Sequence, residues 1–381
     1  MLKHTLFTPG PTNVPPEVLA GLGKPIVHHR APDFDPIFQS AREGLQYVFR
    51  TKNPVVPLTS SGTGGMEAAV TSLLACGDKA ISIEGGKFGQ RWGQICTAYG
   101  IDCVIEEIEW GTAITAERVE ELLKANPETK VVFTTHCETS TGALTDIEAI
   151  AKVVAKTNAV IVVDAVSSLG AEPLETDAWG IDVVVTGSQK ALMLPPGMAF
   201  VSISEKAQAM IKANDKATNY YFSLKKALAS LEKNTTPYTG PVSMIVALNA
   251  AVDLLKKEGI ENIWARHKRC ATAIRKGCEA LGLNMFSKSP SNVVISLTVP
   301  EGVDAGKLTK AMRDDFGMTI AGGQEHLKGK IIRIAALGYV EEFEVLSLIG
   351  ALEMALDRQG YKCDTGAGVS ATVKSLNESM K

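Results

Sequence analysis

Four segments of this 381-residue chain carry residue types that do chemistry, and each lies in or beside a β-branched run. The first is Ser60-Ser61-Gly62-Thr63-Gly64-Gly65-Met66-Glu67, between a strand pattern and a helix pattern. Its glycines let backbone N–H groups close around an anion, the helix N-terminus adds partial positive charge, and the hydroxyls of Ser61 and Thr63 can donate. No Lys-Ser/Thr pair follows and the third glycine of a dinucleotide fingerprint is missing, so it is neither of those phosphate motifs. Read alone, it is equally an ordinary glycine-rich helix cap. The second is Asp164, which closes the apolar run 160–163. A lone buried carboxylate is costly, so Asp164 either caps the turn 165–168 or pairs with a cationic group of a ligand. The third is Lys190, the one charged residue between positions 183 and 203. Lysine is rarely buried; a desolvated one has a lowered pKa and forms Schiff bases with carbonyls, whereas the bland reading is a lysine snorkelling to the surface. The fourth is Arg333, in the strand pattern 330–335. Its planar fork suits a carboxylate, and a structural ion pair is the alternative.

Together these describe a phosphate cup, a carboxylate for a pyridinium nitrogen, a Schiff-base lysine and a carboxylate clamp. Pyridoxal 5′-phosphate needs the first three, and an amino-acid substrate needs the fourth.

Positioning them requires a sheet, because open parallel sheets bind ligands beyond the carboxyl ends of their strands. The pattern predicts strands at 55–58, 79–83, 103–108, 131–135, 160–164, 183–187 and 198–203, with helices at 63–76, 116–124 and 146–157. Apolar strands between helices mean a buried, mostly parallel sheet with helices on both faces. After Gly240-Pro241 come two long helices, one with Ile245, Leu248, Val252 and Leu255 on its face. The other carries Ile263, His267, Cys270, Ile274, Cys278 and Leu281, spaced for core packing. Then strands at 293–299, 318–321 and 330–335 mix with helices at 304–313 and 341–356. The predicted organisation is an N-terminal segment 1–20, a large domain 21–260, a smaller C-terminal α+β domain 261–360 and a loose tail 361–381.

With 39 basic against 42 acidic residues, charge gives no case for nucleic acid or an anionic membrane as partner. No run approaches the ~20 apolar residues of a membrane span. Met1-Leu2-Lys3-His4-Thr5 reaches Pro9-Gly10-Pro11 too soon for a signal peptide, so a cytoplasmic location is expected. Seven cysteines without a C-x-x-C pair indicate neither a disulfide framework nor zinc. No metal site is read from His28-His29, which with Arg30 either approaches the site or faces solvent.

Specific motifs run through nearly the whole chain: T-P-G-P-T at 8–12, S-G-T-G-G-M-E-A at 61–68, K-F-G-Q-R at 87–91, E-T-S-T-G at 138–142, V-D-A-V-S-S-L-G at 163–170 and G-S-Q-K at 187–190. In these the sequence resembles class V, fold-type I pyridoxal-phosphate aminotransferases, in particular the alanine–glyoxylate and serine–pyruvate aminotransferase family. The resemblance implies an α/β fold, with a mostly parallel seven-stranded sheet in a large domain and a smaller C-terminal α+β domain. It implies that Lys190 holds the cofactor covalently and that Asp164 keeps the pyridine nitrogen protonated. Ser61, Gly62, Thr63 and Gln189 match phosphate positions, and Thr139 a hydroxyl near the phenolic oxygen. Phe88 falls where an aromatic, tryptophan in many relatives, stacks on the ring. Gly10 and Arg333 match substrate positions, Arg333 for the α-carboxylate. The family's site lies between two copies of the chain, and Thr236 and Thr239 look like the residues the partner lends to the phosphate.

The implied activity is ping-pong amino transfer from alanine or serine to glyoxylate or pyruvate, with aspartate as alternative donor. A cysteine desulfurase is disfavoured because residues 321–330 hold no cysteine. A non-catalytic hydrogenase-associated subunit would have no use for Lys190, Asp164 and Arg333 together.

Overall fold

The computed structural model describes residues 3–379; Met1, Leu2, Met380 and Lys381, part of the signal-peptide and tail readings, lie outside them. Seven strands form the central sheet in the order Val55–Leu58, Ala199–Ile203, Val183–Gly187, Val160–Asp164, Val131–Thr135, Lys79–Glu84, Asp102–Glu107. Ala199–Ile203 runs antiparallel to both neighbours and every other pairing is parallel. All seven predicted strands form, with ends shifted by one residue at most. The four strands from Val131–Thr135 to Ala199–Ile203 are buried along their whole length, as sheets covered on both faces require. Trp92 stacks on Phe133 at 4.7 Å between ring centroids, filling one of these faces.

Strand register brings the candidate residues to one edge. Asp164 stands opposite Thr135 on one side and Val185 on the other. Lys190 leaves the adjacent strand Val183–Gly187 at the same carboxyl edge. The predicted helix 63–76 is Gly62–Leu73; it stops because Leu74 turns extended, and the Asp78 carboxylate takes the Ala75 N–H.

A second apolar cluster, including Ile274, Ile295, Leu348 and Leu352, is separate from the core around the large sheet. It surrounds an antiparallel sheet, Ile295–Thr298, Ile331–Ile334 and Ala321–Gly322. The face Ile263, His267, Cys270, Ile274, Cys278, Leu281 of the helix Ile260–Ala280 is buried throughout. His267 is a satisfied core histidine: Nδ1 lies 2.8 Å from Ile263 O, and Nε2 accepts the Gly338 N–H at 3.0 Å. Near the N-terminus, Thr5–Leu6 pairs in parallel with Met318–Thr319, anchoring the segment that carries Gly10.

The loose tail does not form. Ala367–Ser379 is a helix packed on Ile260–Ala280 and Glu342–Asp357, with Thr372 and Leu376 buried. Two glycines allow the close approach: a Cβ on Gly277 would lie 2.4 Å from Thr372 Oγ1, and one on Gly368 2.9 Å from Leu281 Cγ. Small residues make this interface, so no apolar stripe announced it. Among the described residues no helix is long and apolar enough to cross a membrane.

Candidate active site

The carboxyl edge of the sheet opens into a cavity lined by Ser61, Gly62, Thr63, Phe88, Thr139, Asp164, Gln189 and Lys190, eight of the residues singled out by sequence. Each wall has a local cause. Ser61 caps the helix Gly62–Leu73 in extended geometry without a side-chain bond to it, which leaves first-turn N–H groups to another acceptor. Glycine is required at 62, where a Cβ would sit 2.7 Å from Val166 Cγ2. Asp164 Oδ1 accepts the Val166 N–H at 2.8 Å. Burial pushes its carboxyl up to about 6, with that N–H pulling the other way.

Lys190 donates to Pro9 O, and Thr12 Oγ1 donates to Lys190 O at 2.9 Å. The N-terminal segment therefore lies directly on the lysine. Gly10 has φ 128, and a Cβ there would fall 2.5 Å from Lys190 Nζ, so only glycine fits. Burial, opposed by Asp164 and Cys137 and aided by Arg333 and Arg91, lowers the Lys190 ammonium to about 8. Its ammonium turns inward to Pro9 O and the cavity instead of snorkelling to the surface.

Arg333 is 6% exposed. Nε donates to Gly322 O at 2.9 Å and Nη1 to Thr139 O at 2.8 Å, which ties the arginine to the cavity wall. Neither contact is a carboxylate, so among the described residues the structural ion pair weighed for Arg333 does not occur. Fixed by backbone carbonyls, the guanidinium keeps further N–H donors for an anion.

Two contributors were passed over in the sequence although both lie inside quoted motifs. Arg91 lines the cavity, donates from Nη1 to Thr63 Oγ1 at 3.0 Å and lies over the Phe88 ring at 5.1 Å. Glu138 is buried and accepts N–H groups from Phe88 (3.1 Å), Gly89 (2.8 Å) and Ser140 (3.0 Å). Burial raises its carboxyl, and these donors oppose the rise. Its charge within E-T-S-T-G was the signal available. Cys137 is buried against the cavity with its thiol pushed upward by desolvation, the reverse of a reactive thiolate.

Thr236 and Thr239 are not brought to this cavity within one chain. They line a separate groove with Tyr221 and Tyr238, where Thr236 Oγ1 donates to Tyr238 O at 2.6 Å. Thr239 Oγ1 is 3.5 Å from His29 Nε2, and Arg30 Nη1 donates to Thr235 Oγ1 at 3.3 Å.

A family model described as aminotransferase class-V matches residues 4–340. The chain is 40% identical over 380 residues to a protein of Synechococcus sp. named soluble hydrogenase, small subunit, covering 98% of this chain and 99% of that one. It is 37% identical over 377 residues to L-aspartate–glyoxylate aminotransferase of Paracoccus denitrificans, with 97% and 95% covered. Serine–glyoxylate aminotransferase of Methylorubrum extorquens is 35% identical over 388 residues, with 99% and 96% covered. The solved structure of ureidoglycine–glyoxylate aminotransferase from Bacillus subtilis matches with a TM-score of 0.94 at 31% identity, covering 99% of each chain. On fold, coverage and motif alike, this chain belongs to the class V aminotransferases, a family of transferases.

Proposed function

We propose that the protein moves an amino group from alanine or serine to glyoxylate or pyruvate, with pyridoxal 5′-phosphate bound beside Lys190. The observation that carries this reading is the convergence of Lys190, Asp164 and the Ser61–Thr63 turn on one cavity that Arg333 adjoins through Thr139. The residues fit the cofactor. Asp164 is a buried carboxylate with a backbone donor, suited to a cationic ring nitrogen. Gln189 Oε1 is buried without a partner, and the uncapped first turn of Gly62–Leu73 suits a phosphate. Bound there, the cofactor supplies an electron sink for charge developing at the substrate α-carbon.

The chain's own residues do the rest. Asp164 holds a proton-bearing ring nitrogen by opposing its charge. Lys190, neutral in a larger fraction than a solvated lysine, takes the α-proton at Nζ and returns it on the other side of the transfer. Arg333 orients the donor by its α-carboxylate, and Arg91, held beside Thr63, offsets the charge of the phosphate end. Two half-reactions share the site, so donor and acceptor alternate.

A second copy of the chain completes the reading. Thr236 and Thr239 point to a phosphate only across a homodimer, since one chain leaves them in another groove. The division at about residue 260 into a large and a small domain is likewise proposed, in keeping with the two apolar clusters. Aspartate as donor is the second reading, favoured by the aspartate–glyoxylate relative. The hydrogenase-subunit name of another relative finds no support here, because a scaffold would have no use for Lys190 and Asp164 in one cavity with the buried Arg333 tied to its wall.

The test is a panel of alanine, serine and aspartate against glyoxylate, pyruvate and 2-oxoglutarate, scored by kcat/KM. Lys190→Ala is expected to abolish turnover and the visible absorbance of bound cofactor; an unchanged spectrum would sink the assignment.

A further inference from the structure

Residues 323–330 connect the strand of Arg333 to its antiparallel neighbour Ala321–Gly322. At one end Gly322 O accepts from Arg333 Nε. Further along, Glu325 Oε1 lies 2.6 Å from Lys87 Nζ, and His326 packs on Trp110 with 4.4 Å between ring centroids. Lys87 is the neighbour of Phe88 in the cavity wall. Its N–H donates to Ser140 Oγ at 3.0 Å, and Ser140 is itself held by the buried Glu138. The backbones of Lys87 and of Thr139, which holds Arg333 Nη1, are thus joined through Ser140, and the chain itself supplies the Lys87 ammonium with a carboxylate.

Stability does not account for the pair. The two side chains are 34% and 51% exposed, and exposed ion pairs contribute little. Glu325 sits at φ 50, a conformation unfavourable to any residue with a Cβ, so the backbone cost offsets the gain.

We propose that Glu325 occupies Lys87 in place of a substrate's second carboxylate, making the pair a selector against dicarboxylic amino and 2-oxo acids. Monocarboxylates bind Arg333 with the pair intact. A dicarboxylate of aspartate length has to displace Glu325 from Lys87. The inference rests on the amino-transfer reading and deepens it by naming the substrate class the site disfavours.

Inert acids test it without turnover. Binding of succinate and of propionate is measured by calorimetry on the full-length protein loaded with pyridoxal 5′-phosphate. Glu325→Gln is expected to raise the ratio of succinate to propionate affinity about fivefold, and adding Lys87→Met is expected to return it to the starting value. An unchanged ratio in the single variant, or a gain that survives in the double variant, overturns the proposal. A protein that shows the shift but transfers no amino group overturns the function reading alone. One that transfers but shows no shift overturns this inference alone.

Discussion

Lys190 and Asp164 illustrate at the residue scale what burying an ionisable group costs in stability. An unfolded lysine titrates near 10.5, and in the fold burial brings Lys190 to about 8. Between those values the unfolded chain binds more protons, so the cofactor-free protein gains stability as pH rises from 8 to 10.5, and the penalty is fully present below 8. Asp164 runs in the opposite sense: its carboxyl goes from 3.8 to about 6, so stability falls as pH rises through that window. Lys190→Met is therefore expected to abolish activity yet stabilise the cofactor-free protein by about 1–3 kcal/mol at pH 7. Thermal unfolding from pH 7 to 10 checks it; a gain that fails to shrink with pH would refute the linkage. The same value sets reactivity. Loading of the cofactor-free protein with pyridoxal 5′-phosphate, followed by absorbance, should quicken about tenfold per unit below pH 8 and level off above it.

At the scale of elements, adjacent strand ends do the positioning. The register that sets Asp164 beside Val185 brings the lysine turn and the aspartate to one edge. Glu138 then ties Phe88 and Gly89 to the neighbouring loop. The C-terminal helix Ala367–Ser379 gives the sharpest prediction at this scale. Glycine-to-alanine changes inside a helix ordinarily stabilise by up to about 1 kcal/mol. At Gly277 the added Cβ meets Thr372 Oγ1 at 2.4 Å, so the sign reverses. Gly277→Ala is expected to cost about 1–3 kcal/mol in urea unfolding, and a stabilised variant would contradict the packing described.

For the whole molecule, the proposed homodimer makes the site a shared object. Lys190→Ala should be inactive, and Thr239→Asp should lose most cofactor affinity by setting a carboxylate against the phosphate. Refolding the two variants together should restore about a quarter of wild-type activity, because half the dimers are mixed and each holds one intact site. No recovery would place Thr239 outside the partner's site.

The strands, the stripe Ile263–Leu281 and the Lys190, Asp164, Ser61–Thr63 and Arg333 positions were legible in the amino-acid sequence, because apolar periodicity and strand-end chemistry are local properties. The C-terminal helix was not, since its contacts depend on missing side chains at Gly277 and Gly368. Nor were Arg91, Glu138 and the Lys87–Glu325 pair: an exposed-looking charge reveals its role only through a partner far along the chain. Sequence alone determined the family resemblance and which side chains stand at the strand ends. Only the tertiary structure decided which charges are buried and paired, because desolvation and distance are properties of the packed fold.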